Sequence, residues 1–214
     1  MNRYKYILFD FDGTLVDSSE GIYKSLIYAF NAYGHEIPSD DLLRQFIGPP
    51  LFYSFTKLFS FSDEHAEQMI EKYRERYKVK GYLENTVYPG IPETLKALKE
   101  SGHILATASS KPLKFVTDIC KQRDLIDSFD YLGGTTFAGS NDSKASVILN
   151  AMSSIGANKD NTLMVGDRLF DIEGAHQAGI PCCAVTFGFG SRDEFLEYKA
   201  EYIIDKAEKL LNIV

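Results

Sequence analysis

Cysteine is scarce in this chain: three in 214 residues, none in a CxxC pair, which excludes both a disulfide framework and a thiolate metal site. Two of them, Cys182 and Cys183, sit inside the apolar segment Ile180 to Val185, so buried, reduced thiols are expected. The four histidines, at 35, 65, 103 and 176, show no HxxxH or HExxH spacing, which argues against zinc. No apolar stretch reaches membrane-spanning length, and no N-terminal segment combines a basic start, a long apolar centre and a small-residue cleavage site. A cytoplasmic protein is therefore expected. Positive charge is in deficit. The formal net charge is −7, spread along the chain, which speaks against a nucleic-acid polymer or an anionic membrane as partner. A GxxxxGK[ST] loop is missing, and Gly188-Phe189-Gly190 runs into Ser191-Arg192-Asp193, which breaks the dinucleotide fingerprint.

What is present starts at Tyr6. The run Tyr6 to Thr14 reads YILFDFDGT: an apolar segment suited to a strand buried on both faces, then two aspartates around one phenylalanine, then Gly13 for a sharp turn. Asp10 and Asp12 thus fall at the carboxyl end of a strand, where α/β sheets bind their ligands. Carboxylates this close repel each other, and the arrangement makes sense if a cation sits between them. A calcium loop of the EF-hand type starting at Asp10 would need Gly at its sixth position and Glu at its twelfth, which here are Leu15 and Gly21.

The chain length fits one globular domain or a core with one inserted subdomain, and the 44% hydrophobic content is ordinary for either. From about Ser18 to Lys80 the pattern is helical throughout. Ile22, Leu26, Ala29, Phe30 and Tyr33 recur at helical spacing, Ser39 and Ser62 are candidate N-caps, and Gly48-Pro49-Pro50 breaks the run. From Gly90 onward helices near 92–100, 113–123, 143–155 and 169–178 alternate with apolar runs at 103–107, 131–132, 163–165 and 182–185. This alternation predicts a doubly wound parallel sheet of Rossmann-like α/β class, with residues 1–15 and 86–214 forming the core and 16–85 a helical insertion. An insertion placed just beyond Asp12 is expected to act as a lid that excludes water and selects substrate.

Three further positions carry chemistry. The strand near 103–107 leads into Ala108-Ser109-Ser110-Lys111, which presents hydroxyls ahead of a helix. Lys144 follows Asn141-Asp142-Ser143 in the first turn of another helix, where a cation gains little from the helix dipole, so that either an anionic ligand or a solvated surface position accounts for it. The run Leu163 to Asp171 again ends an apolar segment on an aspartate, Asp167, and adds Asp171 one helical turn later, so that both carboxylates can face one point. In an open α/β sheet such strand ends converge on one crevice.

These residues resemble the haloacid dehalogenase-like hydrolases over nearly the whole chain. DFDGT (10–14), ASSK (108–111), Lys144 and GDRLFD (166–171) stand in that superfamily's order, and the insertion resembles its helical type 1 cap. The segments FIGPPLFYSF (46–55) and GFGS (188–191) look most like its phosphoglycolate phosphatase and 5′-nucleotidase branch. The resemblance implies a Mg²⁺-dependent phosphatase for small phosphorylated metabolites, monomeric or weakly dimeric. Asp10 would be the nucleophile forming an aspartyl-phosphate, and Asp12 the acid and base. Gly13, Ser109, Ser110 and Lys144 would hold the phosphate, with Asp10, Asp12 (through its carbonyl), Asp167 and Asp171 as metal ligands or their partners. Arg44, Gly48, Pro49 and Phe52 would be cap residues near the substrate. A β-phosphoglucomutase-like isomerase uses the same aspartate pair, although Thr14 departs from the DxDGV of those mutases. A non-catalytic module on the same fold is the reading from another class, and it would normally have lost a carboxylate.

Overall fold

The computed structural model describes residues 3–136 and 143–214. Asn141 and Asp142, which precede the Lys144 helix in the sequence reading, lie outside the described residues, as do Met1 and Asn2. The chain runs through β1 (Tyr6–Phe9), β2 (Val16–Asp17), α1 (Ser19–Ala32), α2 (Asp40–Arg44), α3 (Leu51–Leu58), α4 (Asp63–Tyr77) and β3 (Thr86–Val87). It continues through α5 (Ile91–Glu100), β4 (Ile104–Thr107), α6 (Leu113–Gln122), α7 (Lys144–Ser154), β5 (Thr162–Gly166), α8 (Leu169–Ala178), β6 (Cys182–Val185), α9 (Arg192–Glu197) and β7 (Tyr202–Ile204). No described helix is long and apolar enough to cross a membrane.

Two compact units result, one of residues 1–16 and 87–214, the other of residues 17–86. The chain passes between them at β2 and β3, which pair as a two-stranded sheet of their own. In the first unit, five parallel strands lie in the order β4-β1-β5-β6-β7. Their residues are apolar without alternation because both faces are covered; β5 and β6 are buried along their whole length. Beneath one face, Leu8, Met164, Cys182 and Ala184 pack with Ile148, Ala151, Ile172 and Ala175 of α7 and α8. Burial pushes the thiols of Cys120 and Cys183 up to about 12 and that of Cys182 well above its usual range, so all three stay protonated.

Numbered by their appearance in this sheet, the strands follow the doubly wound order 2-1-3-4-5, whose direction of winding reverses between β1 and β5. Register brings the strand ends level: Phe9 lies opposite both Thr107 and Val165. The chain therefore leaves β1, β4 and β5 at nearly the same level, at Asp10, Ala108 and Asp167. The expected strand at Tyr131-Leu132 is not one; Tyr131 makes a single parallel bridge to Ala106 at the β4 edge. The segment still runs beside β4, with the Thr107 N–H donating to the Tyr131 carbonyl and the Gly133 N–H to the Thr107 carbonyl, both at 3.1 Å, but two apolar residues followed at once by Gly133 and Gly134 are too few to form a strand. β7 and α9 carry little signal in the sequence, β7 being three residues long and only partly buried and α9 six residues long.

The second unit is helical. α1 and α4 pack together, and Phe30, Phe46, Phe55, Phe59 and Phe61 form a cluster of aromatic rings, with Phe30–Phe59 and Phe46–Phe55 centroids 5.0 Å apart. Phe30, Phe46 and Phe55 are buried core residues, each adding a large apolar area and ring-to-ring contact to this small unit. Ser62 caps α4 by accepting from the His65 N–H, whereas Ser39 precedes α2 without a side-chain hydrogen bond. Arg76 makes a forked pair with Glu84, at 2.7 and 2.9 Å, that ties α4 to the segment leading out of the unit.

Candidate active site

Asp10 follows β1 directly, and its N–H still donates to the Val165 carbonyl of β5 at 2.9 Å, so the sheet ladder itself sets its place. Asp167 follows β5 and is fully buried. Asp171 sits at the third position of α8, and its Oδ2 reaches back to accept the N–H groups of Asp167 (3.1 Å) and Arg168 (3.0 Å), which satisfies donors that the helix start would leave orphaned. One oxygen from each of Asp10, Asp167 and Asp171 lies within 4.8 Å of the others, the one group of potential metal ligands of this kind among the described residues.

Lys144, the first residue of α7, brings its ammonium into this cluster, 2.8 Å from Asp10 Oδ1 and 2.7 Å from Asp171 Oδ1. Burial disfavours the ammonium, but the charges of Asp10 and Asp171 outweigh it and raise the lysine above its ordinary range. Burial first, and then the charges of Asp171 and Asp10, raise Asp167 well above the usual carboxylate range. Asp171 is raised by burial in spite of Lys144. Three carboxylates against one ammonium leave the cluster short of positive charge. Moreover, Asp10 Oδ1 is buried and lacks a directed hydrogen bond, its contact with Lys144 being an ion pair by distance alone. Oxygen donors, surplus negative charge and an unsatisfied buried oxygen fit a hard divalent cation such as Mg²⁺.

Asp167 is oriented by two donors, the Thr14 hydroxyl on Oδ1 (3.1 Å) and the Phe189 N–H on Oδ2 (2.8 Å). The glycines around it permit close approach. Gly13 has φ +85°, and a Cβ there or at Gly188 would collide with the Asp167 carboxylate. The Gly-rich segment at 188–191 is thereby part of the site.

A cation lying between the Asp10 and Asp12 carboxylates, and a phosphate site at the Gly13 N–H, are the two expectations that need correction. Asp12 does not bring its carboxylate to the acidic cluster. Both of its oxygens lie 2.8 Å from Lys111 Nζ, so the metal role that the resemblance implies for Asp12 stays with its main-chain carbonyl. Gly13 does not offer a free N–H to phosphate, since that group donates to the Val16 carbonyl at 2.8 Å and closes the turn. Ser109 is buried after β4 and its Oγ accepts the Lys111 N–H (3.2 Å), which leaves its hydroxyl proton to donate elsewhere. Ser110 is exposed, and its carbonyl accepts the Thr135 hydroxyl. Arg44, Gly48 and Phe52 are exposed residues of the helical unit and Pro49 is half-buried there. Lys111, Thr14 and Phe189 were missed as site residues. Lys111 and Thr14 stand inside the quoted motifs, so adjacency was the available signal, but their partners come from other strands.

Comparison with known proteins fits this geometry. Residues 7–185 match the family described as haloacid dehalogenase-like hydrolase. The chain belongs to that family. Among its relatives is a 5′-nucleotidase of Pseudomonas aeruginosa, 39% identical over 206 residues, covering 96% of this chain and 93% of that protein. A phosphoglycolate phosphatase of Vibrio vulnificus is 32% identical, covering 98% and 96% of the two chains. The crystal structure of a predicted phosphatase from Clostridium acetobutylicum superposes with a TM-score of 0.92 at 40% identity, covering 98% and 97%. In haloacid dehalogenase-like terms, the helical unit interrupts the hydrolase core between its first two strands.

Proposed function

We propose that this hydrolase cleaves small phosphomonoesters through an aspartyl-phosphate on Asp10, with Mg²⁺ held by Asp10, Asp167, Asp171 and the Asp12 carbonyl. The observation that carries the reading is the convergence of Asp10, Asp167 and Asp171, with Lys144 among them, at the point where the sheet reverses. The relatives named 5′-nucleotidase and phosphoglycolate phosphatase support the same reaction class and point to alkyl phosphates as substrates.

When bound, Mg²⁺ would supply the positive charge that lets a carboxylate approach a phosphate dianion. The chain's own residues do the rest. Asp10 attacks phosphorus as the ester P–O bond breaks, and the leaving oxygen takes its proton from Asp12. Asp12 then removes a proton from water as that water displaces Asp10 and releases phosphate. Lys144 and the Ser109 hydroxyl would bind the equatorial oxygens during both transfers. The unit of residues 17–86 would serve as the substrate-selecting cap, with Arg44, Gly48, Pro49 and Phe52 as its candidate contacts.

The test is phosphate release from phosphoglycolate, nucleoside 5′-monophosphates and sugar phosphates, with Mg²⁺ or with EDTA. Release is expected only with Mg²⁺, and Asp10→Asn is expected to lower kcat by at least about 10³-fold with an unchanged circular dichroism spectrum. Turnover retained by Asp10→Asn would remove Asp10 as nucleophile.

A further inference from the structure

Lys111 is built in an unusual way for a lysine in a turn. Such side chains normally carry the ammonium out to water. Here the Lys111 side chain is 4% exposed, and Nζ lies 2.8 Å from each oxygen of Asp12. Its backbone is pinned on both sides: the Lys111 N–H donates to Ser109 Oγ, the Lys111 carbonyl accepts the Thr135 N–H (3.0 Å), and Leu113 N–H donates to the Thr135 carbonyl (2.9 Å). Removing an ammonium from water is costly, so the pair persists because its geometry is good. The site therefore divides its cations. Lys144 serves Asp10 and Asp171, and Lys111 serves Asp12.

Lys144 divides its ammonium between single oxygens of two carboxylates, Asp10 and Asp171, whereas Lys111 has both oxygens of one carboxylate, Asp12, at hydrogen-bond distance. From this we infer that Lys111 is a positioning residue for Asp12: it holds the carboxyl in one orientation, so that the proton passes to the leaving oxygen and later comes from the attacking water. The inference rests on the phosphatase reading above. In the first transfer the Asp10–phosphorus bond forms, the ester P–O bond breaks and the Asp12 proton moves to the departing oxygen. In the second, water oxygen bonds to phosphorus, the Asp10–phosphorus bond breaks and Asp12 regains a proton. Lys111 exchanges no atom in either transfer.

Positioning of an acid has a signature that a merely structural ion pair lacks. An alkoxide needs its proton as it leaves, and p-nitrophenolate does not. The experiment compares kcat/KM, which reports only steps up to the aspartyl-phosphate, for an alkyl phosphate and for p-nitrophenyl phosphate. The comparison is made in wild type, Lys111→Met, Lys111→Arg and Asp12→Asn with Mg²⁺ present. Lys111→Met is expected to lose roughly 10²-fold on the alkyl ester, the scale of a general acid, and no more than about threefold on the aryl ester. Asp12→Asn should show the same selectivity. Because both rates come from one sample, their ratio does not depend on the folded fraction. Lys111→Arg, which can still place two donors on the carboxylate, should keep the ratio within about threefold of wild type.

Equal losses on both esters in Lys111→Met, beside a selective loss in Asp12→Asn, would overturn the inference and leave a structural or phosphate-binding lysine. An Lys111→Arg ratio as low as that of Lys111→Met would also overturn it. A wild type inactive on both esters would instead remove the phosphatase reading, and an unselective Asp12→Asn would remove the acid role of Asp12. In either case the assignment of Lys111 would go with it.

Discussion

Thr14 shows how much one side chain can contribute without touching a substrate. It is fully buried, and its hydroxyl spends its proton on Asp167 Oδ1 at 3.1 Å. A hydrogen bond to a charged partner contributes about 1.5–3 kcal/mol, and groups that orient a metal ligand commonly change affinity by about 10–100-fold. Thr14→Val keeps the volume and removes the proton. The Mg²⁺ concentration for half-maximal activity is expected to rise about tenfold, with little change in kcat once metal saturates. A magnesium titration of the two proteins checks this. In the sequence Thr14 stands out through family resemblance alone, because nothing local says which way a hydroxyl after a glycine turn will point. Asp10 and Asp167 could be read directly, since a carboxylate that ends an apolar run has few structural explanations.

Among the elements, β4 is held at its outer edge by a residue far from the site. Asp130 Oδ2 accepts the Leu105 N–H at 2.9 Å, and its Oδ1 pairs with Lys99 of α5 at 2.7 Å. Partial burial opposes ionisation, but Lys99 and the Leu105 N–H outweigh it and hold the carboxyl below its usual range. Because the folded-state pKa is depressed, its contribution to stability is present above the unfolded value. It is lost as pH falls through the folded one. Asp130→Asn is therefore expected to be less stable than wild type at neutral pH, with the gap closing in that acid window; urea unfolding across pH measures it. Helix identities in the insertion and the core were legible from periodicity, and so were the long strands. The Tyr131 segment misled because a short apolar run carries no information about whether a neighbour continues its ladder.

For the molecule as a whole, the surplus of buried negative charge at the sheet's switch point has a thermodynamic consequence. A cation that binds the folded state alone stabilises it by about 2.7 kcal/mol at a hundred times its Kd. Millimolar Mg²⁺ is expected to raise Tm above that in EDTA, and Asp167→Asn should abolish most of that rise. A differential scanning measurement of both proteins with and without metal decides this, and equal Tm shifts in the two would place the stabilising cation elsewhere. Asp10, Asp167 and Asp171 come from two strand ends and one helix, so no single element carries the surplus.

Local information in the chain was enough for the class of fold, the inserted helical stretch and the aspartates, serines and lysine that punctuate strand ends. Those features follow from periodicity, from turn chemistry and from the cost of leaving charge next to an apolar run. Which charge faces which could not be read in the same way. Lys144 lies 134 positions from Asp10 and Lys111 lies 99 from Asp12, so these partners meet only through strand order and register. The pairing of Asp12 with Lys111, the closure of the Gly13 N–H on Val16 and the arrival of Phe189 at Asp167 are outcomes of packing. Carboxylates and ammonium groups act over several ångströms in whatever direction the fold presents them, and a linear sequence holds no such direction.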